Sequence, residues 1–154
     1  MKTFQITKLE QTQILAESLA KQLRCGDIIA LYGTLGVGKT AFTRFLIQAL
    51  CGVQEEVPSP TFTLLQTYDC DDFSIYHYDL YRLKQPDEVL ELGIEDAFYD
   101  GVSLIEWPEK MGSYLPNKKV LKIEIICVEN VRTFTFSSDN IKWKERLDKW
   151  NVQI

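Results

Sequence analysis

The chain has 154 residues, 45% of them hydrophobic and 25% charged, which suits one domain with a substantial core over residues 1–154. Its formal net charge of −5 argues against a protein that grips nucleic acid by itself, because that affinity comes mainly from lysine and arginine on phosphates. No apolar run approaches the roughly 20 residues of a membrane span, and residues 1–13 lack a signal-peptide core, so we expect a cytoplasmic protein.

The first part of the chain predicts two helices around one buried strand. Thr7 and Glu10 have capping-box spacing, and the leucines that follow recur every four residues, which predicts a helix ending near Gly26. The short apolar run "DIIALY" is typical of a buried strand. Apolar residues from 42 to 49 predict a second helix, for which Gly52 is a plausible stop.

The rest of the chain alternates predicted strands and helices. Pro58 and Pro60 exclude a helix through "VPSPT". The predicted elements are then the strands "TFTLLQTY" and "FSIYHYD", the helix "PDEVLEL", the strand "VSLIEW", the hairpin "KVLKIEIICV" and "RTFTFSS", and the amphipathic helix "IKWKERLDKW". We therefore predict an α/β fold with a mixed, partly parallel central sheet flanked by helices. We expect the last helix to pack on the domain itself.

Cysteine and histidine usage gives little sign of a metal site. The single histidine, His77, shares a predicted strand face with Ile75 and is expected to be buried and hydrogen-bonded. Without further histidines or a CxxC pair, a zinc site is not expected. We expect reduced, mostly buried thiols at the four cysteines, which lie far apart in the sequence: Cys25, Cys51, Cys70 and Cys127.

The segment "GTLGVGKT" fits the phosphate-binding pattern G-x-x-x-x-G-K-[ST] in full. Gly33 and Gly38 supply the two required glycines, and Gly36 adds a third small residue. The backbone N–H groups of such a P-loop and the following helix N-terminus bind phosphate. Lys39 would reach the β- and γ-phosphates, and Thr40 would hold Mg²⁺. Without nucleotide, we expect Lys39 to face solvent.

The sequence favours ATP over GTP. A guanine-specific domain usually carries Asn-Lys-x-Asp, and the one Asn-Lys pair, Asn117-Lys118, lacks the aspartate. A small-molecule kinase remains an alternative, but it would need several arginines around two phosphate chains. The chain has only five arginines, and they are widely scattered: Arg24, Arg44, Arg82, Arg132 and Arg146.

Two carboxylates close predicted strands downstream of the P-loop. Asp79 ends "SIYHYD" and Glu106 ends "VSLIE", and functional groups of open α/β sheets gather at such strand ends. Both are candidate Mg²⁺ ligands, with a plain turn or strand end as the alternative. Thr61 or Thr63 could offer a hydroxyl to Mg²⁺ or the γ-phosphate, the alternative being a strand threonine. Trp107 is expected at the rim of the site, with local packing as the alternative.

Four motifs together resemble one family. "GTLGVGKT", "SPTFTLLQTY", "YHYDLYRL" and "LIEWPEK" occur in the order and spacing of the bacterial TsaE (YjeE) family. The resemblance implies an ATPase required for N6-threonylcarbamoyladenosine at position 37 of tRNAs that read codons starting with A. It also implies that the chain acts on a complex of TsaB and TsaD homologues, and that this complex transfers the threonylcarbamoyl group to tRNA. The chain would then contact tRNA only indirectly, through the complex. The free protein is expected to be a monomer without membrane contact.

The resemblance also implies the site residues. Thr40 and Glu106 would bind Mg²⁺, and Asp79 would support the metal or the attacking water. With Lys39, the two carboxylates form the candidate catalytic set. Trp107 belongs to the family's site signature. ATP would be bound by Leu35, Gly36, Val37, Gly38, Lys39 and Thr40, and more weakly by the start of the first helix around Glu10 to Thr12 and by Arg132 in the final hairpin. The P-loop pattern and the position of "SPTFT" add Gly33 and Thr61 to these candidate ATP-binding residues.

An alternative from another class is a nucleotide-gated binding module. In that interpretation ATP-dependent docking is the function, and hydrolysis is incidental. Both interpretations use the same P-loop and the same two cofactors, ATP and Mg²⁺. A hydrolysis assay with and without the partner complex separates them.

Overall fold

The computed structural model of the chain describes residues 1–52 and 54–154. Its strands are Lys2–Ile6 (β1), Ile28–Tyr32 (β2), Leu65–Asp69 (β3), Ser74–Asp79 (β4), Gly101–Glu106 (β5), Leu121–Val128 (β6) and Val131–Ser138 (β7). The α-helices are Leu9–Ala20 (α1), Lys39–Cys51 (α2), Ile94–Asp100 (α3) and Ile141–Lys149 (α4), and two 3₁₀ helices span Pro86–Leu90 and Pro108–Tyr114. None of the helices in these residues is long and apolar enough to cross a bilayer.

All seven strands form one sheet in the order β1-β7-β6-β2-β5-β4-β3. The centre is parallel, with β2 between β5 and β6 and with β4 beside β5. The outer pairs β3–β4, β6–β7 and β1–β7 are antiparallel. The predicted α/β fold with a mixed, partly parallel sheet is therefore confirmed. The carboxyl ends of β2, β4 and β5 meet at one edge, which is where the candidate site lies.

Helices cover both faces of the sheet. One apolar cluster joins α1, α2 and α4 to the first face, and Phe42 of α2 packs there against Phe134 and Phe136 of β7 with ring centroids 5.4 and 6.2 Å apart. A second cluster joins α3 and the 3₁₀ helices to the other face. The P-loop helix α2 is thus fixed by the core, and its N-terminus is held beside the strand ends.

The last helix packs on the domain, as its amphipathic pattern predicts. The Asn140 side chain accepts hydrogen bonds from the backbone N–H groups of Lys142 and Trp143, which caps the N-terminus of α4. Trp143 and Leu147 are buried. Trp150, just after the helix, donates its indole N–H to Ser18 of α1 at 2.7 Å. These contacts tie the end of the chain to the first helix.

Some element boundaries differ from the sequence prediction. The cap of α1 is formed by Gln11 rather than Glu10, because its side-chain oxygen accepts from the backbone N–H groups of Thr7 and Lys8 at 2.8 and 3.1 Å. The helix ends at Ala20, before the predicted stop. The segment "PDEVLEL" forms a 3₁₀ helix rather than an α-helix. Strand β1 and helix α3 were not predicted, since a short edge strand and a seven-residue helix leave weak periodic patterns.

The expectation of reduced, mostly buried thiols is wrong. A disulfide joins Cys51, the last residue of α2, to Cys70 after β3, and their Cα atoms are 4.7 Å apart. Cys25 and Cys127 are exposed free thiols. The paired cysteines are 19 residues apart in the sequence, and only the packing of α2 beside the β3–β4 hairpin brings them together.

Candidate functional site

The P-loop connects β2 to α2, as its motif requires. Gly38 precedes the helix with φ +121°, a conformation that side chains disfavour, and a Cβ added there would lie 3.4 Å from Nε of Arg132. A Cβ on Gly33 would lie 2.7 Å from the Val37 side chain and 2.9 Å from the carbonyl oxygen of Ile125. Gly38 is therefore favoured by its backbone conformation, and Gly33 is required by the close approach of its neighbours.

A cavity of about 420 Å³ opens over the P-loop and the strand ends. It brings together groups from four separate segments of the chain. Its lining consists of Leu35, Gly36, Gly38, Lys39, Thr40, Ala41, Ser59, Thr61, Asp79, Tyr81, Glu106 and Trp107. Nine of these were candidate site residues from the sequence; Ala41, Ser59 and Tyr81 were not, although "SPTFT" and "DLYRL" contain the last two. Thr63 does not line the cavity.

The two carboxylates face each other across parallel strands. Asp79 of β4 is in register with Glu106 of β5, and both are buried. Oε1 of Glu106 accepts a hydrogen bond from the Thr40 hydroxyl at 3.0 Å, which links the strand end directly to the P-loop. Oδ2 of Asp79 accepts from the Thr61 hydroxyl at 3.0 Å. Each candidate metal-binding carboxylate thus accepts a hydrogen bond from one of the candidate threonine hydroxyls.

Lys39 is buried rather than solvent-facing, contrary to the sequence expectation. Only 4% of its surface is exposed. Its ammonium group donates to the carbonyl oxygen of Gly33 and lies 3.5 Å from the centroid of the Trp107 ring. Burial lowers the pKa of Lys39, and the carboxylates of Glu106, Glu109 and Asp79 partly oppose this shift. The P-loop cation is therefore desolvated, and an anion in the cavity would favour its charged form.

Trp107 owes its place over Lys39 to an unusual backbone conformation. It follows β5 directly and has φ +60°, in the left-handed region that a non-glycine residue seldom adopts. Its ring also packs against Tyr81, with centroids 5.0 Å apart. Both rings line the larger cavity, and a place for Trp107 at the rim of a nucleotide site stays a prediction.

A smaller cavity, about 100 Å³, lies on the other side of the P-loop and contains the two weaker candidates. Thr12 of α1 and Arg132 of β7 line it together with Gly38. Nε of Arg132 donates to the carbonyl oxygen of Val37 at 2.8 Å. The long separation of these residues in the sequence hides this proximity, and only the family resemblance pointed to it. Gly33 and Val37 shape the P-loop without lining the larger cavity.

The side-chain oxygens of Thr40, Glu106 and Asp79 suit a magnesium ion that is held jointly by the protein and a phosphate. Among the described residues, no group of three or more His, Cys, Asp or Glu side chains could hold a metal by itself. Magnesium is usually bound through one or two carboxylates together with substrate phosphates rather than by an all-protein cage. Thr40, Glu106 and Asp79 at the P-loop fit that pattern.

Known proteins resemble this chain over most of its length. A family model described as "Threonylcarbamoyl adenosine biosynthesis protein TsaE" matches residues 6–134. The tRNA threonylcarbamoyladenosine biosynthesis protein TsaE of Rickettsia conorii is 46% identical over 121 residues, which cover 79% of this chain and 69% of that protein. The protein of the same name from Rickettsia felis is 53% identical over 100 residues, which cover 65% of this chain and 58% of that protein. The second alignment thus spans less than two thirds of the R. felis protein.

A solved structure has the same architecture. The crystal structure of Bacillus subtilis YdiB matches with a TM-score of 0.81 and 27% identity. The match covers 97% of this chain and 93% of that chain.

Proposed function

Because this chain belongs to the TsaE family of threonylcarbamoyl adenosine biosynthesis proteins, we propose that it serves the formation of threonylcarbamoyladenosine in tRNA as a magnesium-dependent ATPase. The observation that carries the proposal is the bond between Thr40 and Glu106, 3.0 Å long, in a cavity that Lys39 and Asp79 also line. A P-loop hydroxyl and a strand-end carboxylate are the groups that Mg²⁺ requires beside a nucleotide.

Each group has a distinct role in this proposal. The P-loop N–H groups and Lys39 would bind the β- and γ-phosphates, and Thr40 and Glu106 would hold the metal. Asp79, which accepts a hydrogen bond from the Thr61 hydroxyl, would support the metal or orient the attacking water. Magnesium would supply neutralisation of the charge that develops on the transferred phosphoryl group.

The chain is proposed to act on a complex of TsaB and TsaD homologues rather than on tRNA directly. Among the described residues that line the larger cavity, Lys39 is the only cation. An arginine supplied by a partner raises turnover of such sites by roughly 10³–10⁵-fold. A net charge of −5 also favours contact with tRNA through a partner. Hydrolysis would then reset the complex between rounds of modification.

Copurification tests this proposal directly. The chain is mixed with the TsaB and TsaD homologues of its host in the presence and in the absence of ATP. ATP-dependent retention of the chain on the complex supports the proposal. Retention that is equal with and without nucleotide, or absent under both conditions, contradicts it.

The binding-module alternative has one observation in its favour. Phe62 is 78% exposed and follows Thr61, whose hydroxyl is bonded to Asp79 in the cavity. Arg82 lies over the Phe62 ring, 4.2 Å from its centroid. A nucleotide that draws Thr61 away from Asp79 would therefore move an apolar surface group, which docking alone could exploit. Multiple-turnover tRNA modification assays separate the two functions.

Full nucleotide affinity is expected to require Mg²⁺, and GTP is expected to compete poorly. The Thr40 hydroxyl and the Glu106 carboxylate would hold the metal beside the nucleotide, so their contribution to nucleotide affinity would need Mg²⁺. The missing Asn-Lys-x-Asp motif leaves guanine without its usual partner. Calorimetric titration with ATP, with and without Mg²⁺, and competition with GTP check both points. Equal affinities for ATP and GTP would reject the base assignment.

Arg132→Ala is expected to weaken ATP binding by roughly tenfold, the equivalent of about 1.4 kcal/mol. Its guanidinium group donates a hydrogen bond to the Val37 carbonyl oxygen at 2.8 Å and so helps to fix the P-loop backbone. Arg132 lines the smaller cavity together with Thr12. Arg82→Ala is the matched control, because it removes the same group where it contacts Phe62 outside the P-loop. Equal ATP affinities of the two variants in calorimetry would remove Arg132 from the site.

A further inference from the structure

His77 is fully buried and directly contacts a candidate metal ligand. Its Nε2 lies 2.6 Å from Oε2 of Glu106, and its exposed fraction is 0%. It lies on β4 two residues before Asp79, so both side chains point to the same face of the sheet. The other ring nitrogen, Nδ1, has no hydrogen-bond partner among the described residues. The contact with Glu106 is thus the polar interaction that fixes this ring.

The direction of the hydrogen bond follows from the chemistry of the carboxylate. An ionised carboxylate only accepts, so Nε2 of His77 carries the proton and donates it to Oε2 of Glu106. The second oxygen, Oε1, accepts from the Thr40 hydroxyl. Both oxygens of Glu106 are therefore hydrogen-bonded, Oε1 to Thr40 of the P-loop and Oε2 to the imidazole of His77.

We propose that His77 is the positioning residue of Glu106, which it holds with Oε1 turned towards Thr40 and the metal position. This inference rests on the proposed function, in which Glu106 binds Mg²⁺. Without the imidazole, Oε2 would be a buried acceptor lacking its donor, and the carboxylate would lose the bond that fixes its orientation. Groups that orient metal ligands in this way usually change metal affinity or activity by roughly 10–100-fold when they are removed.

The first test needs neither nucleotide nor metal. Because His77 is the only histidine of the chain, its imidazole nitrogen and proton signals in an NMR spectrum of ¹⁵N-labelled protein have a single origin. We expect the Nε2–H tautomer with a proton that exchanges slowly with water. Glu106→Gln should change these signals, and Asp79→Asn, the neighbouring carboxylate without a bond to His77, should change them much less. An Nδ1–H tautomer, or insensitivity to Glu106→Gln, overturns the inference.

The second test separates positioning from general support of the core. His77→Leu removes the donor and His77→Gln keeps an N–H near Oε2 of Glu106, while Ile75→Ala weakens the same strand face without touching Glu106. We expect His77→Leu to lower ATP hydrolysis and apparent Mg²⁺ affinity by roughly 10–100-fold. His77→Gln should restore most of the loss, and Ile75→Ala should lower thermal stability with little change in Mg²⁺ dependence. Equal Mg²⁺ dependence of His77→Leu and wild type overturns the inference.

A double variant confirms through which residue His77 acts. If it acts through Glu106, adding His77→Leu to Glu106→Gln should lower hydrolysis little further, whereas independent contributions would multiply. If the fold-losses in hydrolysis of the two single variants multiply in full in the double variant, the inference is overturned. Failure of the wild-type chain to bind or hydrolyse ATP would contradict the proposed function instead, and the NMR result in the free protein would stand apart from it.

Discussion

Lys39→Ala is expected to lose productive ATP binding while the chain remains folded. Among the described residues that line the larger cavity, Lys39 is the one cation, and a charge-assisted contact contributes about 1.5–3 kcal/mol, or roughly 10- to 150-fold in affinity. Burial removes water from the Lys39 ammonium group and thereby lowers its pKa. Because less water screens this group, its attraction to an anion is stronger. Calorimetry with ATP and Mg²⁺ measures the loss.

Because Lys39 is buried, a control variant must separate the loss of its charge from the loss of its aliphatic chain. Lys39→Met keeps an aliphatic chain of similar length beside Trp107 without the charge, so it should lose ATP affinity as Lys39→Ala does. Lys84→Ala, a change on the exposed surface, should leave affinity unchanged. Circular dichroism and thermal unfolding verify that each variant is folded. Wild-type ATP affinity in folded Lys39→Met would rule out the assigned role of the charge.

Glu106→Gln is expected to lower hydrolysis by orders of magnitude and to lower ATP binding much less. The substitution keeps the shape of the side chain but removes its charge beside the Thr40 hydroxyl, which lies 3.0 Å from Oε1. The loss falls mainly on the transition state, where charge on the phosphoryl oxygens must be neutralised. Binding retains the P-loop N–H groups and Lys39. Steady-state hydrolysis and calorimetry on the same preparation measure the two effects.

The same variant distinguishes hydrolysis from docking. In a tRNA modification assay with the TsaB–TsaD complex, Glu106→Gln should bind the complex in the presence of ATP and support a single round. It should fail in multiple rounds, because the complex would not be reset. Sustained modification at the wild-type rate would make hydrolysis incidental and favour the binding-module function.

The sequence predicts well those parts of the site that are local along the chain. The P-loop is one contiguous segment, and Gly38 and Gly33 are required by its backbone and by close neighbours. Asp79 and Glu106 each end a strong strand pattern. Parallel pairing of β4 with β5 then places them opposite each other. The central strands could be predicted for the same reason, because each is a short, nearly continuous apolar run.

Long-range contacts account for most of what the sequence did not predict. Arg132 reaches the P-loop only because β7 pairs with β6, which lies beside β2. The burial of Lys39 depends on the left-handed conformation of Trp107, which no local pattern indicates. The pairing of Cys51 with Cys70 depends on helix packing. His77 was expected to be buried and hydrogen-bonded, and it is, but its partner 29 residues away was not evident.

The most direct test of the account is steady-state ATP hydrolysis by the wild-type chain, alone and with the TsaB–TsaD complex of its host. Glu106→Gln serves as the background control under both conditions. We predict slow, magnesium-dependent hydrolysis by the free chain and stimulation of roughly tenfold or more by the complex, because a partner completes the site. A rate that the complex leaves unchanged, or that equals the Glu106→Gln background throughout, would contradict the account.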